Sequence, residues 1–178
     1  MNKEDFKQIN VDNLLKNMAE ELKFRIRDLD PQQVYMAGIH TGGYWVAERL
    51  HQLVGLEHEL GSLNISFYRD DFTYIGLHPE VKPSELPAQI EDKHIILVDD
   101  VLYTGRTVRA ALNEIFDYGR PASVIFCSLL DRNERELPIC SDVTGMTVRL
   151  DKNQQVKLKG PDPLQLVLIE MTSQEKDQ

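Results

Sequence analysis

Cysteine is scarce in this chain: Cys127 and Cys140 are the only two in 178 residues. Two thiols make no disulfide framework, and no Cys/His spacing here matches a zinc site. Long apolar runs are missing as well. The longest are a few residues, far short of the roughly 20 that span a bilayer. The opening residues, Met1-Asn2-Lys3-Glu4-Asp5, are polar, unlike a secretory leader. Positive charge is in deficit, with 20 Lys and Arg against 29 Asp and Glu, a net charge of −9. That balance disfavours indiscriminate binding to nucleic acid or to anionic membranes. It still allows a local phosphate site, because backbone N–H groups at a helix start supply the field there. A cytoplasmic address is expected, and no membrane partner.

What is present fits a globular chain. Hydrophobic residues make up 42% and charged residues 28%, which argues against disorder and for one domain over residues 1–178. Helical and strand patterns alternate along it, favouring an α/β fold with a mostly parallel sheet flanked by helices. Val11, Leu14, Leu15, Met18 and Leu22 recur at helical spacing and predict a helix over about 12–26. Val34–Gly38 reads as a buried strand, and the loop Ile39-His40-Thr41-Gly42-Gly43 leads into a helix carrying Val46, Leu50, Leu53 and Val54. Leu63, Ile65 and Phe67 alternate with polar residues as a strand should. Regular patterning then fails, and Pro79, Pro83 and Pro87 mark a long loop at about 69–90. Loops of that length are uncommon in compact domains and are often active-site lids; a solvated excursion is the plainer alternative.

His94–Val98 reads as the next strand, followed by a helix with Val108, Ala111, Leu112, Ile115 and Phe116 on one face. Ala122–Leu130 is a further buried strand, and about 142–170 reads as β-structure with turns. There Gly160-Pro161-Asp162-Pro163 divides Val156–Lys159 from Leu164–Ile169 as a C-terminal β-hairpin.

The chemistry concentrates in Ile95-Ile96-Leu97-Val98-Asp99-Asp100-Val101-Leu102-Tyr103-Thr104-Gly105-Arg106-Thr107. A strand delivers two carboxylates to the carboxyl edge of the sheet, where open α/β folds bind ligands. Gly105 permits close backbone approach, and the following helix start, two hydroxyls and Arg106 can hold an anion. Acceptors for hydroxyls at one end and donors for a phosphate at the other suit a sugar phosphate. As bare structure, the same residues would be a solvated strand end with Thr104 capping a helix. A Walker A loop and a G-x-G-x-x-G turn are both absent. A receiver domain would carry its acidic pair nearer the start. Cys127, inside an apolar strand, and Trp45, on a helix, read as packing residues.

This run resembles the phosphoribosyl-pyrophosphate (PRPP) signature of type I phosphoribosyltransferases. More narrowly, Asp99–Ala110 is similar to the PyrR family of pyrimidine attenuation regulators and uracil phosphoribosyltransferases. Gly38–Gly43, Tyr68-Arg69-Asp70-Asp71, Gly119–Ala122, Asp131-Arg132 and Arg135–Ile139 follow in the family's order. The resemblance implies a type I phosphoribosyltransferase fold with a hood over about 131–170. It also implies UMP and pyrophosphate made from uracil and PRPP in pyrimidine salvage.

By position, Asp99 and Asp100 would hold the ribose hydroxyls. Val101, Leu102 and Tyr103 complete the PRPP-binding run, and Thr104, Gly105, Arg106 and Thr107 would cradle the 5′-phosphate. His40, Thr41 and Gly42 would meet the pyrophosphate. Arg69 would face the leaving group from a closing loop, acting with Asp99 and Asp100 in catalysis. Arg135, Glu136, Leu137, Pro138 and Ile139 would form the part of the hood that reads the base. Mg²⁺ would come with PRPP, near Asp99 and Asp100, rather than sit in a cage of its own. Where 6-oxopurine enzymes place an Asp before the Thr-Gly turn, this chain has Tyr103, a poor base near neutral pH. Uracil is therefore expected ahead of purines.

The chain departs from the family in three places. His40 and Gly42 stand where a basic residue and an Arg are usual, removing a bidentate phosphate contact. His40 could restore part of it, or simply bond loop backbone. Asn133-Glu134 replaces a usual Gly-His. The family's RNA-binding face is depleted by Asn17, Glu20 and Met146, leaving Arg25, Arg27, Arg132, Arg135 and Arg149 as candidates for either an RNA patch or ordinary surface charge. Three readings stand: a uracil phosphoribosyltransferase, a nucleotide-sensing RNA regulator with little or no catalysis, and a transferase for another base. Family resemblance implies a homodimer or larger assembly.

Overall fold

The computed structural model describes residues 3–65, 84–86 and 90–171. Its elements, in order, are α1 (Lys3–Lys7), α2 (Val11–Ile26), a 3-10 turn at Pro31–Gln33, β1 (Val34–Ile39), α3 (Gly42–Val54) and β2 (Gly61–Leu63). Then follow β3 (His94–Leu102), α4 (Arg106–Tyr118), β4 (Ser123–Asp131), β5 (Val143–Thr147), β6 (Gln154–Lys159) and β7 (Gln165–Glu170). Five strands form one all-parallel sheet in the order β2-β1-β3-β4-β5. β6 and β7 pair antiparallel as a separate hairpin. Among the described residues no helix is long and apolar enough to cross a membrane.

Period-two alternation on the central strand sorts its side chains to opposite faces. Ile96 and Val98 pack with α2, α3 and the hairpin, while Ile95 and Leu97 pack under α4. α2 starts where the Asn10 side chain accepts the Asn13 N–H at 3.0 Å. Its buried stripe of Val11, Leu15, Met18, Ala19 and Leu22 is the one the helical spacing predicts.

Three boundaries differ from the sequence reading. β3 runs four residues past Val98, so the acidic pair lies inside a strand. Pairing with β1 stops at Gly38↔Val98, but pairing with β4 continues to Leu102↔Asp131 and carries the strand on. The expected hood at 131–170 divides: β5 is the fifth core strand, and the hairpin after it stands off the sheet. β2 is only three residues long, and Ser66, Phe67 and nearly all of the long loop, with Tyr68 and Arg69, lie outside the described residues. The chain returns beside β2, where Ser62 and Glu85 exchange backbone hydrogen bonds of 2.7 and 2.8 Å.

The hairpin is fastened at both ends. α1 packs against β7, with Phe6 buried and Lys3 paired to Glu170 at 3.1 Å. At the turn, Gly160 lies against Trp45 of α3 so closely that a Cβ there would sit 2.7 Å from the indole, and Arg49 pairs with Asp162 at 3.3 Å.

Cys127 is sealed between α2 and the sheet, and burial, with Asp142 adding, pushes its thiol up to about 12. Cys140 is exposed. A thiol reagent at pH 8 should therefore label Cys140 in the native protein and Cys127 only on unfolding; equal rates would contradict this packing. Because the unfolded chain ionises Cys127 from about 9.0 and the folded chain does not, stability should also fall as pH rises from there toward about 12.

Candidate functional site

The site lies at the carboxyl edge of the sheet, where β3 has outrun β1 and the first turn of α3 takes β1's place. Gly42 and Gly43 make this possible. A Cβ on Gly42 would overlap the Asp100 carboxylate, and one on Gly43 would fall 2.7 Å from the Val98 carbonyl oxygen and 2.8 Å from Asp99 Cα. Asp99 and Asp100 are thus almost fully buried, at 2% and 9% exposure, against the N-terminal end of a helix. The Asp100 N–H donates to Asp99 Oδ1 at 3.0 Å, and the helix end supplies a partial positive charge. Both carboxylates are already desolvated in the folded chain, so a polar ligand there adds little solvation cost beyond that met in folding.

The loop before α3 is fixed by its backbone. His40 N–H donates to the Leu63 carbonyl at 2.8 Å, the His40–Thr41 peptide is cis, and the His40 ring stacks on Tyr44 at 4.8 Å. Burial, reinforced by Glu48 and Glu85, pushes the Tyr44 phenol up, so a neutral ring backs the histidine. Thr41 and Gly42 both face the cavity.

Thr104–Thr107 forms the second turn. Gly105 has φ +92°, a left-handed conformation that glycine adopts without the strain of a Cβ, and α4 starts at the next residue. Thr104 is buried, and its hydroxyl accepts the Arg106 N–H at 3.3 Å. Arg106 itself reaches outward and donates from Nε and Nη2 to Glu136 at 2.8 and 2.6 Å. Both side chains are more than half exposed, so the pair is worth at most about 1 kcal/mol and yields to a stronger anion.

Residues 135–139 differ most from expectation. Glu136 and Leu137 donate their N–H groups to the Thr104 carbonyl at 3.1 and 3.2 Å, which lays the segment along the outside of the phosphate turn. Arg135 clasps its own loop: it bonds Asp131, donates from Nε to the Ile139 carbonyl at 2.7 Å and reaches Asn133 at 3.2 Å. None of Arg135, Glu136, Leu137, Pro138 or Ile139 lines the cavity. The hairpin lines it through Gln154, Val156, Leu158 and Ile169, with Lys152 just before β6.

The cavity encloses about 680 Å³ between the acidic pair, the Thr104 turn, Trp45 and the hairpin. Arg132 enters it from the end of β4. Left by the sequence as either RNA patch or surface charge, it is 6% exposed, with its guanidinium 3.8 Å above the Tyr103 ring, an interaction worth about 0.5–2 kcal/mol. Its place beside the acidic strand, at the same sheet edge, is the signal that could have marked it. The hairpin residues gave no such signal, because only the tertiary fold brings them over the site.

Among the described residues no three His, Cys, Asp or Glu side chains gather as a metal cage. Two adjacent carboxylates are hard oxygen donors, and they suit a Mg²⁺ that reaches the site already bound to a polyphosphate.

Arg135→Ala would strand the buried Asp131 carboxylate and should cost about 3 kcal/mol in urea unfolding at unchanged slope. A loss below about 1 kcal/mol would mean the clasp is only a surface pair.

A phosphoribosyl transferase domain model matches residues 7–162. A "Bifunctional protein PyrR" from Nitrosococcus oceani is 61% identical over 159 residues, covering 88% of this chain and 90% of its own length. Its namesake from Pseudomonas aeruginosa is 56% identical over 153 residues, covering 86% and 90%. Among solved structures, the hypoxanthine phosphoribosyltransferase of Trypanosoma cruzi superposes with a TM-score of 0.67 at 18% identity, over 91% of this chain and 93% of that one. A hypoxanthine-guanine phosphoribosyltransferase of Bacillus anthracis gives 0.62 at 19% identity, over 78% and 79%. The structural likeness establishes the fold, and the sequence identity goes further: this chain is a type I phosphoribosyltransferase of the PyrR family.

Proposed function

We propose that this chain transfers ribosyl 5′-phosphate from PRPP to uracil, producing UMP and pyrophosphate. The observation that carries the reading is the buried Asp99-Asp100 pair set five residues before the left-handed Gly105 turn, both opening on one cavity. Asp99 and Asp100 accept hydrogen bonds from the ribose 2′- and 3′-hydroxyls. The N–H groups and hydroxyls of Thr104–Thr107 hold the 5′-phosphate, with Arg106 exchanging Glu136 for it. Thr41 and Gly42, which line the cavity, present backbone donors to the pyrophosphate, and His40 is assigned beside them by family position. Arg69, outside the described residues, is assigned to the leaving group by family position alone.

The reaction forms a bond between uracil N1 and the anomeric carbon as the bond from that carbon to pyrophosphate breaks, and the N1 proton is released. The chain's part is to hold both partners in line and to keep water, a competing nucleophile, away. Arg135–Ile139 are assigned to the base by family position, and the hairpin residues Val156, Leu158 and Ile169 line the same cavity. Mg²⁺, held by the substrate and by Asp99 and Asp100, would supply Lewis-acid stabilisation of the leaving group.

A regulatory role in RNA binding is the alternative reading, in which Lys23, paired with Glu20 at 3.0 Å, Arg25, paired with Glu21 at 3.0 Å, and Arg27 just past α2, paired with Asp28 at 3.2 Å, would have to exchange those carboxylates for phosphates. A homodimer or larger assembly is proposed from family membership.

Labelled uracil with PRPP and Mg²⁺ should yield UMP, and Asp100→Asn should lower kcat/KM by about 100-fold or more, as loss of a charged hydrogen-bonding group at the reacting sugar would. Absence of UMP from the wild-type protein, or faster turnover of another base, would overturn the assignment.

A further inference from the structure

β4 is an apolar strand with one hydroxyl in its buried half. Ser128 stands between Cys127 and Leu129, and like them it is 0% exposed. Its Oγ is buried and reaches no hydrogen-bond partner among the described residues. A hydroxyl buried without a partner costs stability, and an alanine would sit in the same strand without that cost. Packing therefore gives no reason for a serine here.

The sheet register shows what the hydroxyl can reach. Ser128 is aligned with Asp99 of β3 on one side and with Thr144 of β5 on the other. Register partners on neighbouring strands project to the same face, with the strands about 4.8 Å apart. Asp99, Ser128 and Thr144 thus make a polar row across the sheet. Thr144 is engaged on its far side, where its hydroxyl bonds that of Ser141. Asp99 is the remaining neighbour, and a serine at this spacing meets a carboxylate by turning about its one Cα–Cβ bond. The Asp99 Oδ1 accepts the Asp100 N–H at 3.0 Å, a bond from its own strand. A carboxylate offers about four acceptor sites, and its terminal torsion is broad, so a donor from the next strand would narrow the plane it adopts.

We propose that Ser128 is a positioning residue for the acidic pair: its hydroxyl turns onto the Asp99 carboxylate as ligand engages it and fixes the plane in which Asp99 meets the sugar hydroxyls. The hydroxyl is unspent in the fold and is used in the loaded site. Ser128 touches no ligand itself and acts through Asp99. The inference rests on the reading in which Asp99 and Asp100 accept ribose hydroxyls, and it concerns binding rather than turnover.

Equilibrium binding of UMP and 2′,3′-dideoxy-UMP to the full chain tests it, since the two differ only in the ribose hydroxyls. Trp45, the only tryptophan and part of the cavity lining, offers an intrinsic fluorescence readout beside calorimetry. The wild type should hold UMP at least about tenfold more tightly than the dideoxy nucleotide. Ser128→Ala should weaken UMP by about tenfold and the dideoxy nucleotide by less than about twofold, with its urea midpoint at or above that of the wild type. Ser128→Cys keeps the side chain's shape but donates weakly, and it should weaken UMP in the same selective way. Equal losses for both nucleotides, or none for UMP, would overturn the proposal, because a packing role does not sense the sugar hydroxyls. A lowered urea midpoint for Ser128→Ala would overturn it too, since the hydroxyl would then be spent in the fold. A wild type that binds neither nucleotide, or both alike, would overturn the hydroxyl reading of the acidic pair and this proposal with it. A wild type that tells them apart, beside a Ser128→Ala protein that does so equally well, would overturn this proposal alone.

Discussion

The seating of the first turn of α3 on the acidic end of β3 is the contact from which the site is built. Backbone meets backbone there, with Gly43 against Val98 and Asp99 and Gly42 against the Asp100 carboxylate. Because the helix stands where β1 would have continued, β3 can run on past its partner, paired only with β4. That arrangement buries two carboxylates at a strand's end, points helix N–H groups at the same space, and aligns the His40–Gly42 loop beside them. In this chain the Asp100 carboxylate lies in the space next to the bare backbone of residue 42, so a side chain there would require that carboxylate to turn.

The remaining walls are attached from a distance. The hairpin is separated from the phosphate turn by β5 and is tethered through Phe6, Lys3 and Trp45, so the site depends on both ends of the described chain. The resulting cavity is polarised: carboxylates line one side, while Arg132 and the lysines of the hairpin's lining supply positive charge on another. A net charge of −9 does not preclude an anionic ligand there, because these cations are local to the cavity and Arg132 is buried.

Periodicity made most of the scaffold legible. α2, α3 and α4 show an apolar helical repeat, β1 and β4 are short buried apolar runs, and the terminal hairpin is marked by its Gly160–Pro163 turn. The motif 99–107 was readable because its chemistry is local: the strand, the carboxylates, the glycine and the helix start are consecutive. Non-local features were not readable. The extent of β3 depends on β4 lying alongside; β5 is a short run with Gly and Thr whose place in the core is set by its neighbours. Arg135 looked like a ligand contact and is a clasp, because its partner Asp131 and the Ile139 carbonyl come together only when the loop folds back. Arg132, readable as RNA patch or surface charge, is buried, for the same reason.

In this chain the Asp100 carboxylate rests against the bare backbone of residue 42, and that seating is proposed to set ligand affinity. It is tested most directly by calorimetric titration of PRPP and Mg²⁺ into wild-type and Gly42→Ala protein. A single added methyl cannot fit without moving the Asp100 carboxylate. The expected result is a folded variant whose affinity is lower by about tenfold or more, the equivalent of about 1.4 kcal/mol. Unchanged affinity would contradict the account, because Asp100 would then hold its ligand regardless of how α3 is seated.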